Sequence, residues 1–270
     1  MIESLLERNK EELLYIGKRK FYRLNLLKPY AKPIGKKTFI DYIYEVPLHY
    51  DLGNTIEFHA GYIHTQSLAS AIPPYILNPS KNDTVYDCCA SPGSKTSQLA
   101  MIMRNEGRII AVDKKDRIKA LNYNLERLGV LNTFVTVHDA KKKLPYRYTK
   151  ALVDVPCSSL GSHPNAWKRL NDSILRTLTD VQKRIISSAF EMLNRGGILV
   201  YSTCTITLEE NEAIIAYLLN KYQNARLEKI DLNIPYSPGD SSIYEDLKYT
   251  IRISAKDAGE AFFIAKIKKV

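Results

Sequence analysis

Apolar and polar positions along this chain switch repeatedly between two periods. Val85 and Tyr86 sit in a short run over 84–88, closed by the turn formers Ser91-Pro92-Gly93, which predicts a buried strand and a tight turn. Leu99, Ile102 and Met103 then recur at helical spacing, predicting a helix that opens near Ser94. After Gly107 a second apolar run covers 108–113 and ends in the carboxylate of Asp113. The rhythm continues with a helix over 115–128, stopped by Gly129 in a C-terminal capping position. Strands follow at 133–137, ending in His138-Asp139, and at 150–154, leading into the turn 155–159. A helix over 180–193 runs to Gly196-Gly197, and a strand over 198–202 delivers Cys204. Thr207 and Glu210 have the spacing of a capping box that opens a helix to Tyr222. Two or three further strands fill the tail from Arg226, the last over 261–267.

Upstream the pattern is less regular. Ile2, Leu5, Leu6, Leu13, Leu14 and Ile16 predict an amphipathic helix over 2–17, and 21–27 reads as a strand. Pro29, Pro33 and Gly35 interrupt the chain after that strand; 38–47 is aromatic-rich and fits neither period, and 66–77 reads as a helix ending before Asn78-Pro79. The division that results is a small N-terminal extension over 1–60 that contacts the substrate, and a catalytic domain over 61–270. Strands alternating with helices predict an α/β fold: a mostly parallel sheet with helices on both faces and an antiparallel edge in the tail. In such sheets ligands bind beyond the carboxyl ends of the strands. Asp87-Cys88-Cys89, Asp113, Asp139, the segment from Asp154 to Cys157, and Ser202-Thr203-Cys204 all fall at predicted strand ends and should converge on one rim.

The unit over 83–113 has the order of a nucleotide site, with backbone N–H groups and a helix dipole for an anionic end and a carboxylate for a ribose. Its turn is neither Gly-x-Gly-x-x-Gly nor a P-loop, because Gly93-Ser94-Lys95-Thr96 lacks the earlier glycine. That disfavours a dinucleotide or triphosphate and suits S-adenosylmethionine, which carries a carboxylate at one end and a ribose at the other. An apolar fraction of 45% with 25% charged residues is that of a folded chain rather than a disordered one. The net charge of +10 points to a polyanion such as RNA or DNA, with a merely solvated basic surface as the alternative. No run of about 18 apolar residues exists, so no membrane partner is expected. The cysteines at 88, 89, 157 and 204 form no Cys-x-x-Cys, so no metal is expected and a reduced cytoplasmic setting is.

Two cysteines at two separate strand ends beside such a pocket suggest covalent catalysis, although a lone strand-end cysteine is most often inert. A thiolate needs a positive neighbourhood, which Lys95 or a helix N-terminus supplies. Cytosine C5 is a poor nucleophile; a thiolate added at C6 makes it enamine-like and able to attack a sulfonium methyl, helped by a carboxylic acid at N3. One Cys, one Asp and a second Cys or base suffice. Cys88 reads as core packing and Cys89 as a backbone contributor to the turn. Trp167 and the tyrosines are candidates for base stacking as well as for structural rings, and Lys141 to Lys143 form an RNA-facing patch or a solvated loop.

These residues resemble the RNA (cytosine-5)-methyltransferases of the Nop/Sun group over nearly the whole chain from Arg23. The matching stretches are Arg23-Leu-Asn-Leu-Leu-Lys28, Gly61 to Ser70 around Gln66, Asp87-Cys-Cys-Ala-Ser-Pro-Gly-Ser-Lys-Thr96, Asp154-Val-Pro-Cys-Ser158, Tyr201-Ser-Thr-Cys-Thr-Ile206 with Glu209-Glu-Asn-Glu212, and Gly259-Glu-Ala-Phe-Phe-Ile-Ala265. The resemblance implies a Rossmann-like methyltransferase fold with a seven-stranded sheet, S-adenosylmethionine as cofactor and RNA as substrate. It implies Cys204 as nucleophile, Cys157 as the group that assists release, Asp154 facing cytosine and cofactor, and Lys95 at the cofactor's methionine end. Cys89, Ala90, Ser91, Pro92, Gly93 and Ser94 would form the cofactor turn, with Asp113 and Asp139 as ribose and adenine ligands and Arg117 alongside. DNA enzymes place the nucleophile in the Pro-Cys motif, so Thr203-Cys204 favours RNA. Ser94 departs from the family's second glycine and offers a helix N-cap. The loop from Gly161 to Trp167 lacks the arginines that the family often carries there. A core without an added RNA-binding domain looks most like the archaeal enzymes acting on tRNA, with ribosomal RNA as the rival substrate and a non-catalytic RNA-binding protein on the same fold as the rival class. A monomer is expected; a protein partner that alters the choice of sites is left open.

Overall fold

Two sheets organise the chain, and the computed structural model describes them over residues 9–28 and 32–270. The smaller sheet contains β1 (Lys20–Leu24), β2 (Lys36–Lys37), β3 (Ile43–Val46) and β4 (Ile63–Thr65), all antiparallel in the order β2-β3-β1-β4. Tyr22, Val46, Leu52 and Ile63 form a small core of its own. Phe21, Ile40 and Ile43 face the other way and join the main core. The helix expected over 2–17 and the break at Pro29 lie partly or wholly outside the described residues; the described part is α1 (Lys10–Tyr15). β1 stops short of the expected Leu27 because Asn25 turns the chain, donating from Nδ2 to the carbonyls of Gly61 and Leu128 at 2.8 Å each. After α2 (Ile56–His59), Ser67 caps α3 (Leu68–Leu77) by accepting from Ser70 N at 3.1 Å.

The larger sheet begins with β5 (Thr84–Asp87), α4 (Ser94–Ile102), β6 (Arg108–Asp113), α5 (Ile118–Arg127), β7 (Thr133–Val137) and β8 (Tyr148–Asp154). It continues with α6 (Asp172–Met192), β9 (Leu193–Thr203), α7 (Glu212–Lys221), β10 (Ala225–Glu228), β11 (Ser237–Pro238), β12 (Ile251–Ile253), α8 (Ala255–Ala258) and β13 (Phe262–Lys269). Strands β7-β6-β5-β8-β9 are parallel neighbours, and β13 closes on β9 antiparallel. The sheet counts nine strands among the described residues rather than seven. Pro235, Pro238 and Gly239 cut the tail's apolar stretch into short pairings on β13 instead of one long strand. Alternate residues of each central strand face opposite layers. Tyr86, Val153 and Tyr201 pack under Ile186 and Phe190 of α6 and Ile215 of α7, while Val85, Leu152 and Val200 pack under Ile72 of α3 and Leu99 of α4.

Several boundaries differ from the sequence expectation. α5 opens at Ile118, with Arg117 in the N-cap position, rather than at 115. α6 begins eight residues before 180, at Asp172, because Asn171 Oδ1 caps it by accepting from Ile174 N at 2.9 Å. β9 absorbs Gly196 and Gly197, which read as a helix stop; a Cβ at 197 would sit 2.7 Å from the Thr149 carbonyl, so a side chain cannot enter there. The expected capping box does not cap α7. Asn211 holds the N-cap position, and the Thr207 hydroxyl donates to the Glu210 carboxylate at 2.8 Å instead. Among the described residues no helix is long and apolar enough to cross a membrane.

Candidate active site

The turn from β5 into α4 is tied to the end of β6. Ser91 N donates to Asp113 Oδ2 and Lys114 N to Asp113 Oδ1, both at 2.8 Å. Arg117 Nη2 donates to the Ser91 carbonyl at 2.7 Å, the Ser91 hydroxyl donates to the Arg117 carbonyl at 3.0 Å, and Arg117 Nη1 stands 3.7 Å from Asp113. Gly93 enters the helix at φ +103°, where an added Cβ would press on Leu121 at 3.1 Å. A glycine is required at that step. Cys89, Ala90, Ser91, Pro92, Ser94, Lys95 and Asp154 line one cleft together with Asp87 and Ser70. Asp139 does not line it; it stands on the turn after β7, accepting from Lys141 N at 3.1 Å and pairing with the Lys141 ammonium at 3.5 Å.

Ser94 is not the helix cap. Gly93 holds that position, and the Ser94 hydroxyl meets His64 Nε2 at 2.7 Å. Arg127 Nη2 donates to His64 Nδ1 at 2.9 Å, so the ring proton sits on Nε2 and points at Ser94. Burial, reinforced by the charges of Arg23 and Arg127, holds the His64 pKa well below the usual imidazole range, which keeps the ring neutral. The Arg23 guanidinium, fully buried, donates to the Ser94 carbonyl at 2.7 Å and to Ser97 Oγ at 2.6 Å. Burial lowers its pKa to about 9. The small sheet therefore grips the first turn of α4 from behind, a link between segments some 70 residues apart that no local pattern announced.

The two expected cysteines meet: Cys157 Sγ and Cys204 Sγ are 3.3 Å apart at the ends of β8 and β9. The hydrogen bond to Cys204 and burial push the Cys157 thiol up, whereas the same bond, with help from Ser162 and Ser159, outweighs burial and draws Cys204 down. Ser159 Oγ lies 3.7 Å from Cys204 Sγ. The pair is thus polarised, with Cys204 the sulfur that ionises first and Cys157 the one that keeps its proton. Beside it, Lys95 Nζ is 2.8 Å from Asp154 Oδ2, and Ser202 Oγ donates to Asp154 Oδ1 at 2.7 Å. Burial works against the Lys95 ammonium, but Asp154, with smaller contributions from Cys204 and Glu260, leaves its pKa above the ordinary lysine value. Cys88 is buried in the core layer that Tyr86 and Val153 share with α6 and α7.

Sequence reasoning gave no chemical role to three acids of this rim. Asp87 is buried, accepts from Thr96 Oγ1 at 2.7 Å, and is pushed by burial up to about 7. Glu260 accepts from Ser67 Oγ at 2.7 Å, and burial raises it as well, against the opposing charge of Lys95. Glu210 has the spacing of a helix cap, but its neighbours lie in the Cys157 turn, where Ser158 N donates to it at 2.9 Å.

A parallel sheet whose first strand turns through a glycine into a helix, and whose next strand ends in an acid bonded back to that turn, is a Rossmann-like nucleotide site, and the fold is that of the S-adenosylmethionine-dependent methyltransferases. The family model described as 16S rRNA methyltransferase RsmB/F matches residues 74–268, and the chain belongs to this family, whose members are RNA (cytosine-5)-methyltransferases of the Nop/Sun type. A tRNA (cytosine(49)-C(5))-methyltransferase of Pyrococcus abyssi is 42% identical over 234 residues, covering 80% of this chain and 73% of the relative. A ribosomal RNA small subunit methyltransferase F of Shewanella piezotolerans is 37% identical, covering 81% of this chain and 48% of the relative, so the chain spans about half the length of that enzyme. The crystal structure of a methyltransferase homologue from Pyrococcus horikoshii superimposes with a TM-score of 0.83 at 29% identity, over 97% of this chain and 90% of that one.

S-adenosylmethionine is the family's cofactor, and the residues present fit it. Residue 93 lacks a Cβ, which lets the turn that lines the cleft close against Leu121. Each Asp113 oxygen holds one N–H and keeps a further lone pair for a ribose hydroxyl.

Proposed function

We propose that this protein methylates C5 of cytosine in tRNA through a covalent bond between Cys204 and C6 of the base. The polarised pair of sulfurs 3.3 Å apart carries the reading. When bound, S-adenosylmethionine would supply an electrophilic methyl group on a sulfonium; the 89–94 turn, Asp113 and Arg117 would hold it, with Asp139 toward the adenine and Lys95 toward the methionine end. Cys204 as thiolate adds to C6, and the electron pair moves toward C5 and N3. Asp154 faces that ring edge and holds the Lys95 ammonium at 2.8 Å, and that ammonium stabilises the negative charge developing there. C5, made electron-rich by that addition, would then take the methyl group that the bound cofactor supplies, the cofactor leaving as its thioether. The C5 proton passes to water, the C6–S bond breaks, and Cys157 offers its S–H to the departing Cys204 sulfur.

The tRNA assignment is supported by the 42% identity to an archaeal enzyme named for tRNA. Ribosomal RNA is the second reading, favoured by the family model's description and by the Shewanella relative. Residues 1–60 with the small sheet are proposed to extend the RNA-contacting surface next to the rim.

The test is a denaturing gel of Cys157→Ala incubated with S-adenosylmethionine and unmodified tRNA transcripts, beside wild type and Cys157→Ala/Cys204→Ala. A retarded protein–RNA band with Cys157→Ala, absent from the double variant, is expected. A band with ribosomal RNA fragments but not with tRNA would move the substrate. No band with either RNA would overturn the covalent route.

A further inference from the structure

Glu210 lies between the two cysteine turns and is fully buried. Its carboxylate accepts four hydrogen bonds: from Ser158 N at 2.9 Å, Ser158 Oγ at 2.5 Å, Gln182 Nε2 at 2.9 Å and Thr207 Oγ1 at 2.8 Å. Among the described residues no lysine or arginine pairs with it. A buried carboxylate without a cation persists only when its oxygens are fully satisfied, so the surrounding donors are held as firmly as the acid itself. The Tyr201 hydroxyl fixes the Glu210 carbonyl at 2.7 Å.

Three of the four bonds come from residues that follow the two cysteines, and the fourth comes from Gln182 of α6. Ser158 stands directly after Cys157, and its hydroxyl also lies 2.7 Å from Thr205 Oγ1, directly after Cys204. Thr207 continues the Cys204 loop. One carboxylate thus ties both turns together at the point where their sulfurs meet. Asn211, the next residue, adds a second tie: its Oδ1 is 2.5 Å from Thr203 Oγ1 and its Nδ2 donates to the Thr205 carbonyl at 3.0 Å.

We propose that Glu210 is a positioning residue for product release, holding Cys157 as the proton-bearing thiol against Cys204. The proposal rests on the reading of Cys204 as nucleophile and Cys157 as release group. After the hydrogen bond to Cys204, burial and the Cys204 charge, the Glu210 charge is a further cause that keeps the Cys157 thiol high. Its effect falls on the last step. Addition at C6 needs the Cys204 thiolate and the Lys95–Asp154 pair, neither of which touches Glu210, whereas departure of the sulfur needs Cys157 in register.

Glu210→Gln keeps the size of the side chain, but its amide nitrogen cannot accept from Ser158 Oγ or Thr207 Oγ1. With Cys157 intact, first-turnover methyl transfer to the transcript that wild type modifies, chosen from unmodified tRNA and small-subunit rRNA fragments, is expected to change less than about threefold. Steady-state turnover falls about tenfold or more, and the denaturation-resistant protein–RNA band accumulates. Ser158→Ala, which leaves the carboxylate in place, shows the same pattern more weakly and covers the case in which Glu210→Gln does not fold. Equal loss of first-turnover and steady-state rates with no band, or unchanged turnover in both folded variants, would overturn the proposal. Cys157→Ala run alongside separates the two failures. A band there but none in the Glu210 and Ser158 variants defeats the role of Glu210 alone; no band in any variant defeats the cysteine mechanism and this inference with it.

Discussion

Lys95 Nζ stands 2.8 Å from Asp154 Oδ2, joining the first turn of the cofactor helix to the end of the strand that leads to Cys157. The side chains are only 14% and 25% exposed, so the pair is largely out of water, and removing one partner leaves the other charge without compensation. Lys95→Met is expected to lower unfolding free energy by about 2 kcal/mol in a urea titration, below the full cost of breaking a buried pair because solvent still reaches both groups. Lys95→Met/Asp154→Asn recovers part of that loss, and both variants lose methyl transfer. Additive losses in the double variant would mean that the pair contributes no coupling energy.

Asp87 gives a pH dependence of stability with a definite sign. Burial, opposed by the hydrogen bond from Thr96, lifts its folded pKa to about 7, against about 3.9 in an unfolded chain. The folded state therefore keeps a proton that the unfolded state releases. Its contribution is fully present below about pH 4 and is lost as pH rises toward 7. Wild type should lose on the order of 3 kcal/mol over that window relative to Asp87→Asn, which cannot ionise. The comparison is made by chemical denaturation at pH 4.5, 6 and 7.5. Parallel curves for the two proteins would show that Asp87 ionises normally in the fold.

Gly161 is a backbone clasp beside Cys204. Its N–H donates to the Cys204 carbonyl at 2.9 Å, and its own carbonyl accepts from Ala261 N at 2.8 Å. An added Cβ would stand 2.3 Å from the Ala261 carbonyl oxygen, a backbone atom that no rotamer change can move. Gly161→Ala is expected to cost about 2 kcal/mol or more through this overpacking. It should lower the first-turnover rate at least about tenfold, because the Cys204 turn shifts with the clasp. Thermal unfolding and single-turnover methylation check the two effects, and a variant with wild-type values in both would show that the clasp is dispensable.

The βα rhythm was legible in the residues themselves. The strand Arg108–Asp113 falls where the apolar run puts it, because a strand inside a parallel sheet is covered on both faces; Thr133–Val137 also falls where its run puts it, but as the largely exposed edge strand of the sheet. The convergence of Asp87, Asp113, Asp154, Cys157 and Cys204 on one rim comes from the same parallel topology, in which all carboxyl ends point one way. Resemblance added the distinction between the two cysteines, whose sulfurs the fold brings to 3.3 Å.

Glu210 marks the limit of local reading. Three residues from Thr207 and just before a helix, it has the spacing of a cap, and sequence offers no reason to look further. Burial sends its carboxylate instead to Ser158 and Gln182, which lie 52 and 28 residues away. Arg23 behaves alike, its guanidinium ending on Ser94 and Ser97 across 71 and 74 residues. Apolar residues declare their burial through periodicity, so the sequence alone determined the layers of this protein and the rim where its chemistry gathers. A buried polar group must instead find specific partners, and those partners are brought within reach only when distant segments pack. The tertiary structure therefore decided which donors each charge received.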